Sequence, residues 1–360
     1  MSGFLDALQS WSLLVGALLG VPVAALTVLV LVKQLRQKQP RILRVIEGDE
    51  DSDDPLVDQT IWETRSASNP VAPAPVERGG IPIITIANMK GGVGKTTICS
   101  NLAAYFQEKE KRVLVIDFDY QGSLSQTMLA QAGISDLRMI AHRLIDGTWN
   151  GAKLISRSEH LRPDLSSVNI ACAHYAFATA ENNLMVDWVQ NGEPDIRFNL
   201  SRLLTDRDIQ KHFDIVLIDA PPRLSTGTIC ALCASTHLLI PTCLDEMSSE
   251  ATGYFMLQLS RLRSMLFRDL KLIGIVPSMT ETDTGFKDHE KRALKRLADK
   301  LTAPPLPNDW VGPEKFLNAA SLPQRVAIRK AAGVGVAYLR DKEAKRIFDR
   351  LGDAIEPRLG

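Results

Sequence analysis

The sequence has no excess of charge of either sign. Its 360 residues include 42 lysines and arginines and 42 aspartates and glutamates, so the formal net charge is zero at pH 7. A chain with this balance does not bind nucleic acid through net charge alone, and any such binding must come from a local basic patch. The 45% hydrophobic and 23% charged content also excludes wholesale disorder and collagen-like or coiled-coil repeats.

Cysteine is scarce and odd in number. The five cysteines are scattered through apolar segments, at Cys99, Cys172, Cys230, Cys233 and Cys243. This pattern argues against a disulfide framework and predicts free thiols in a reducing compartment. Cys230 and Cys233 form a CxxC pair, but no second pair stands at metal-site spacing, so we interpret them as small buried helix residues.

Charge is absent from one long segment near the N-terminus. Residues 11–32 contain no charged side chain, and as a helix they would extend about 33 Å, close to a bilayer core of about 30 Å. We predict a transmembrane helix there, with a buried core helix as the alternative. No basic region precedes the segment, which argues against a cleaved signal peptide. Basic residues follow from Lys33, so the positive-inside rule predicts an external N-terminus over residues 1–10 and a cytoplasmic remainder.

Residues 33–80 have the composition of a linker. They begin basic, become acidic over residues 47–54, and then contain serine, proline and glycine without apolar periodicity. We interpret the acidic run as a solvated spacer; the alternative is that it keeps the linker away from anionic lipid. Residues 81–360 are then the folded domain.

A glycine-rich loop follows the first apolar run of this domain. Residues 81–88 predict a buried strand, and the residues after Lys95 have helical periodicity. Backbone N–H groups of such a loop, together with the helix N-terminus, bind phosphate oxygens. Lys95 is expected to contact the β- and γ-phosphates, and the Thr96 hydroxyl to bind Mg²⁺. The predicted phosphate-binding residues are Gly91, Gly92, Val93, Gly94, Lys95, Thr96 and Thr97.

The loop departs from the usual pattern, because Met89 stands where the first glycine is expected and Lys90 precedes the glycine pair. The sequence KGGVGKT resembles the deviant Walker A motif of the ParA/MinD family of ATPases. The resemblance implies that Lys90 reaches across an ATP-sandwich dimer to the phosphates bound by the partner. It also implies ATP and Mg²⁺ as ligands.

Two later segments extend the resemblance. Residues 111–125 resemble the D-x-D-P-Q-G signature of the family, with Asp117 and Asp119 at the carboxylate positions and Tyr120 where proline is usual. The family then implies that Asp119 orients the attacking water, and we expect both carboxylates to face the phosphate site because alternate strand residues point the same way. Residues 213–225 resemble the Walker B strand, in which Asp219 would hold a Mg²⁺-bound water.

Further apolar runs at residues 237–242 and 270–276 alternate with helical stretches. This rhythm predicts an α/β fold with a doubly wound, mainly parallel sheet, as expected for a P-loop NTPase of the deviant Walker A type. The resemblance covers about residues 81–355 and weakens after Pro277.

Residues 287–301 predict a helix with a basic stripe beside an apolar face. A solvated surface is one interpretation, and contact with DNA phosphates or anionic lipid is the other. The stripe consists of Lys287, Lys291, Arg292, Lys295, Arg296 and Lys300.

Together these features predict a single-pass protein of the bacterial inner membrane whose cytoplasmic ATPase domain dimerises around ATP. Hydrolysis would switch its binding to a protein partner, with Lys90, Lys95 and Asp119 as the catalytic residues. The alternatives are a bacterial tyrosine-kinase-like P-loop protein and an ATP-switched DNA-binding module. The kinase-like alternative lacks the usual C-terminal tyrosine cluster, because Tyr338 is alone there.

Overall fold

The computed structural model describes residues 61–64, 80–135, 138–191, 195–282, 285–302 and 306–360. The predicted transmembrane helix over residues 11–32 lies outside these ranges, as does all of the predicted linker except residues 61–64 and 80. Among the described helices, none is both long and apolar enough to cross a bilayer. The chain divides into two units, Met1–Arg65 and Ser66–Gly360. Of the first unit, the described part is the short helix α1 (Ile61–Thr64).

An eight-stranded sheet is the centre of the second unit. In chain order its strands are β1 (Ile83–Ile86), β2 (Val113–Asp117), β3 (Glu159–His160), β4 (Val168–Ala171), β5 (Ile215–Asp219), β6 (His237–Cys243), β7 (Lys271–Thr280) and β8 (Leu322–Pro323). The spatial order is β3-β4-β2-β5-β1-β6-β7-β8. Every neighbouring pair is parallel except β3 with β4, which is antiparallel. The predicted mainly parallel sheet is confirmed.

Helices connect the strands along the chain. They are α2 (Lys95–Glu108), α3 (Ser123–Ala132), α4 (Ala141–Ile145), α5 (Gly151–Arg157), α6 (Ala176–Asn191), α7 (Asn199–Leu204), α8 (Arg207–His212), α9 (Thr226–Ala234), α10 (Glu246–Leu266), α11 (Asp288–Leu301), α12 (Val326–Ala331), α13 (Ala337–Arg340) and α14 (Lys342–Ile355). Short 3-10 turns occur at Ile196–Phe198, Asn308–Trp310, Pro313–Lys315, Asn318–Ala320 and Glu356–Arg358.

Alternate residues of the central strands enter two separate apolar clusters. Val113 and Val115 of β2 pack with residues of α2, α3 and α14, whereas Leu114 and Ile116 pack with residues of α4, α7 and α9. Because successive side chains of a strand point to opposite faces, the sheet is covered on both sides. This is why its strands read as continuous apolar runs.

The parallel arrangement brings three loops to one edge of the sheet. Strand β1 lies between β5 and β6, and β5 also pairs with β2. The loops that leave the carboxyl ends of β1, β2 and β5 therefore start side by side, which is where ligands bind in open α/β sheets.

Candidate functional site

The loop between β1 and α2 has the backbone conformation of a phosphate-binding loop. Gly92 and Gly94 have φ angles of 76° and 89°, a region that disfavours residues with a Cβ. Helix α2 begins at Lys95, directly after the left-handed Gly94, as predicted. Gly91 and Gly92 are exposed and Val93 is buried.

Two buried polar residues hold this loop in place, and sequence reasoning did not identify either. Asn88 donates to the Pro241 carbonyl at 2.8 Å and accepts the Lys90 backbone N–H at 3.0 Å. Ser278 donates to the Val93 carbonyl at 2.8 Å. Asn88 could have been noticed as a polar residue that ends an apolar run, whereas nothing local to Ser278 indicates its contact.

Lys95 lies almost buried under the loop, with 7% of its surface exposed. Its ammonium group donates to the Lys90 carbonyl at 3.1 Å. Burial lowers the pKa of Lys95, and the nearby charges of Asp219 and Asp119 oppose that effect. The loop thus contains a desolvated cation close to the position where a phosphate would accept hydrogen bonds.

Thr96 and Asp219 meet at the carboxyl end of β5. The Thr96 hydroxyl donates to Asp219 Oδ2 at 2.7 Å, whereas the buried Asp219 Oδ1 has no hydrogen-bond partner. Burial, followed by the charge of Asp117, raises the pKa of Asp219 well above its ordinary value. A hydroxyl beside a carboxylate with an unused oxygen suits a hydrated Mg²⁺ ion, which prefers oxygen ligands and retains several waters.

The two carboxylates at the end of β2 and just after it, Asp117 and Asp119, differ in burial. Asp117 is fully buried; its Oδ2 accepts the Ser125 backbone N–H at 2.9 Å and hydroxyl at 2.7 Å, and its Oδ1 accepts the Asp119 N–H at 3.0 Å. All three of these hydrogen bonds come from the loop and the first turn of α3 that follow β2. Asp119 is half-buried at the loop surface, and its Oδ1 accepts the Gln121 N–H at 3.0 Å.

Thr97 contributes to a cavity beside the loop. The cavity has a volume of about 240 Å³ and lies between the first turns of α2 and α3 and the segment after α12. Thr96, Ser123 and Gly333 also line it. Because Thr96 and Thr97 line it, the cavity adjoins the start of α2, directly after the phosphate-binding loop.

The predicted basic stripe forms part of α11 but is largely paired with acidic side chains. Lys291 contacts Asp288 at 3.5 Å and Lys300 contacts Glu250 at 3.1 Å. Two further ion pairs join Lys287 to Glu281 and Arg296 to Glu246. Arg292 and Lys295 are exposed. The pairing favours the interpretation of a solvated surface.

The CxxC pair lies on α9, as predicted, with Cys230 buried and Cys233 half-buried. In the described part of the chain, no group of three or more metal-ligating side chains is present. Burial raises the pKa of both thiols. They are therefore packed residues of low reactivity.

Known proteins are similar to this chain in sequence and in fold. Residues 81–272 match the family described as AAA domain. The chromosome-partitioning ATPase Soj of Thermus thermophilus is 31% identical over 58% of this chain and 73% of its own. Apo McdA of Cyanothece superposes with a TM-score of 0.59 at 19% identity, over 76% of this chain and 99% of its own. The septum site-determining protein MinD of Pyrococcus horikoshii, complexed with Mg-ADP, superposes with a TM-score of 0.54 at 18% identity, over 78% and 98%. The chain belongs to the ParA/MinD family of P-loop ATPases.

Proposed function

We propose that this protein is a membrane-anchored ATPase that forms an ATP-dependent sandwich dimer and hydrolyses ATP to switch its binding to a protein partner. The observation that carries the proposal is the Thr96–Asp219 pair beneath a deviant phosphate-binding loop, in which Asp219 retains one unpartnered buried oxygen. Such an oxygen is costly unless a ligand uses it. The proposed role is of the positioning, partition or assembly type.

Residues 91–97 would hold the phosphates of ATP. The Thr96 hydroxyl would be a direct Mg²⁺ ligand, and Asp219 would bind a water of the ion. When bound, the ion would supply positive charge that offsets the negative charge developing on the phosphates during transfer. The site provides a hydroxyl and a carboxylate as ligands for Mg²⁺ and a buried lysine as a positive charge for the phosphates. These groups support the assignment of ATP and Mg²⁺.

Three residues would act on the reacting phosphate. Lys95 neutralises charge that develops on the γ-phosphate within the same subunit. Lys90 does so across the dimer interface, and Asp119 orients the attacking water. Because Lys95 already contacts the Lys90 carbonyl, ATP would exchange this contact for phosphate oxygens.

Anchoring of the domain rests on the uncharged run over residues 11–32, which we propose crosses the inner membrane once and leaves the ATPase in the cytoplasm. A tether of this kind confines neighbouring copies and raises their effective concentration. Dimerisation would then occur at low copy number.

The two alternatives have less support. Tyr338 is 3% exposed, and its hydroxyl is bonded to Glu108 at 2.8 Å and Asp349 at 2.6 Å, which does not suit a site of tyrosine phosphorylation. The ion pairs of α11 reduce the net charge that it could offer to DNA. We therefore leave both out of the proposal.

The test compares three variants of a chain that starts at Gly80, sized by light scattering with MgATP, with ADP and without nucleotide. Wild type should dimerise with MgATP alone. Lys95→Ala should lose nucleotide binding, because it removes the charge that holds the β- and γ-phosphates. Lys90→Ala should bind ATP without dimerising, and Asp119→Ala should form a dimer that persists because hydrolysis is slow.

Lys153→Ala is the matched control, because Lys153 is an exposed lysine on α5 and should behave as wild type. A wild-type domain that stays monomeric in saturating MgATP, and whose full-length form is not crosslinked as a dimer in liposomes, would contradict the proposal. Phosphorylation on tyrosine in place of dimerisation would support the kinase-like alternative.

A further inference from the structure

Two loops at the phosphate site are joined by a stacked pair of side chains. Tyr120 follows Asp119 in the loop after β2, and Arg223 lies in the loop after β5, which begins with Asp219 at the strand end. The Arg223 guanidinium carbon lies 4.9 Å from the centroid of the Tyr120 ring, a cation–π contact. The two loops therefore touch through their side chains as well as through the sheet.

Glu181 of α6 fixes the arginine from the protein side. Its carboxylate is 2% exposed; Oε2 accepts Arg223 Nη2 at 3.0 Å, and Oε1 accepts the Gly227 N–H at 2.6 Å. Gly227 lies in the first turn of α9, where a Cβ would come within 3.1 Å of the Phe177 ring and 3.2 Å of Glu181 Oε1. The buried carboxylate thus has a defined position and partners for both oxygens, which a buried charge requires.

Helix α6 also contacts the loop after β2, which carries Asp119 and Tyr120. Phe177 stacks on Phe118 with ring centroids 5.5 Å apart and an interplanar angle of 12°. Both rings are buried, and Phe118 immediately precedes Asp119. Helix α6 therefore contacts the loop after β2 through Phe177 and the loop after β5 through Glu181. Movement of one loop relative to the other would break the Phe118–Phe177 stacking or the Arg223–Glu181 ion pair.

We propose that Tyr120, Arg223 and Glu181 form a latch that couples the two loops and positions Asp119 for hydrolysis. These are positioning residues, because none of them is required to touch the nucleotide. The proposal rests on the proposed ATPase function. Such a latch would affect the position of Asp119 relative to the reacting phosphate. The rate of hydrolysis depends far more strongly on that position than the affinity for nucleotide does.

A double-mutant cycle on the full-length chain in detergent solution tests the coupling. The variants are Tyr120→Leu, Arg223→Met and the double substitution, and the measurements are kcat for ATP hydrolysis and the Kd for a fluorescent ATP analogue with Mg²⁺. Each single variant should lower kcat roughly tenfold while the Kd changes less than about twofold. The double variant should be no slower than the slower single variant, because the contact is already lost.

Conservative and control variants separate positioning from a loss of folding. Tyr120→Phe keeps the ring face and should retain the wild-type kcat, whereas Glu181→Gln removes the charge that fixes Arg223 and should lower it. Arg263→Met is the matched control: Arg263 also stacks on an aromatic ring, Trp310 at 5.0 Å, and pairs with Asp309 at 2.7 Å. It lies near the C-terminal end of α10, away from the phosphate-binding loop, and its loss should leave kcat and Kd unchanged.

Three results would overturn the latch. These are an unchanged kcat in Tyr120→Leu, additive losses in the double variant, or a loss in Tyr120→Phe equal to that in Tyr120→Leu. Failure of the underlying function is distinguishable, because wild type itself would then show no ATP hydrolysis.

Discussion

At the scale of single residues, the site concentrates unfavourable charge. Asp117 and Asp219 are register partners at the ends of β2 and β5, and both are buried. Burial raises the pKa of Asp117 to about 6, and it raises that of Asp219 as well. Lys95 supplies a nearby positive charge but leaves Asp219 Oδ1 unpartnered. In the nucleotide-free protein, Asp219 therefore has a buried oxygen without a hydrogen-bond partner, and a bound ligand could supply that partner.

The first prediction from this is that Asp219→Asn makes the nucleotide-free protein more stable. The substitution removes a buried charge while its amide oxygen can still accept the Thr96 hydroxyl, so the free energy of unfolding should rise by about 1 to 3 kcal/mol. ATP hydrolysis should be lost. Urea unfolding at pH 7 measures the change in stability, and phosphate release measures the change in hydrolysis.

Asp214→Asn, at an exposed ion pair with Arg112, is the control and should be neutral or slightly destabilising. A less stable Asp219→Asn would contradict this account.

The same carboxylates set a pH dependence with a definite sign. An unfolded aspartate titrates near pH 3.9, whereas the folded pKa values of Asp117 and Asp219 are raised. Between about pH 4 and pH 6 the folded state binds more protons than the unfolded state, so the contribution of these groups to the free energy of unfolding falls as pH rises. The stability gained by Asp219→Asn should thus be greater at pH 7 than at pH 4. An advantage independent of pH would contradict the raised pKa of Asp219.

At the scale of elements, the helix that carries the phosphate-binding loop depends on the C-terminal helix. Tyr105 of α2 donates its hydroxyl to Asp353 at 2.7 Å and to Glu356 at 3.1 Å. Gly352 of α14 lies against the Tyr105 ring so closely that a Cβ there would overlap it. The absence of a side chain at Gly352 therefore sets how near α14 approaches α2.

This contact predicts opposite effects for one substitution in two helices. Gly352→Ala should lower the free energy of unfolding by about 1 to 3 kcal/mol, because the methyl group overlaps a buried ring. Gly253→Ala in α10 should raise it by up to about 1 kcal/mol, because alanine favours helix and the new Cβ meets only the flexible Lys300 stem at 3.2 Å. Thermal and urea unfolding of both variants measure the difference. Equal effects of the two substitutions would show that the Tyr105 contact does not limit the approach of α14.

The elements that the sequence revealed are those with a long apolar run or a motif. The sequence located strands β1, β2, β5, β6 and β7 and the start of α2 at Lys95, although the run predicted for β7 ended at residue 276 and the strand ends at Thr280. Residues 126–212 offer no motif from which a role can be predicted, and there β3 has two residues and the helices α4, α5, α7 and α8 are too short to show periodicity. Helix α6 is long, but it contacts the two site loops through Glu181 and Phe177, whose partners Arg223 and Phe118 are distant in sequence.

The candidate site was predictable to a similar extent. Lys95, Thr96 and Asp219 follow from motifs; the Thr96 hydroxyl donates to Asp219, and the charge of Asp219 acts on Lys95. The sequence did not reveal that the Ser125 backbone N–H and hydroxyl donate to the buried Asp117 carboxylate, because Ser125 lies in the first turn of the next helix. Local sequence rules thus identified the motif residues of the candidate site and missed the contacts that depend on tertiary hydrogen bonds.

At the scale of the whole molecule, zero net charge conceals segments of opposite character. An uncharged run over residues 11–32 precedes basic residues, an acidic stretch and then the ATPase domain. If the run spans the membrane, diffusion of the domain is confined to a thin layer beside the bilayer, where a second copy is met more often than in free solution. The tether would then favour the ATP dimer without any contact of its own.

The last prediction is that the full-length protein behaves as an integral membrane protein. After alkaline carbonate washing of membranes it should remain in the pellet, because an uncharged helix of this length matches the bilayer core. A chain that starts at Gly80 should remain in the supernatant. Replacing Leu18 and Val23 by lysine places two charges near the middle of the proposed span. Each charge raises the free energy of insertion by about 2.5 to 3.5 kcal/mol, so this variant should be released from the membrane. Replacing Ser2 and Gly3 by lysine, outside the span, is the control. Full-length protein found in the supernatant would exclude the anchor and leave dimerisation to the domain alone.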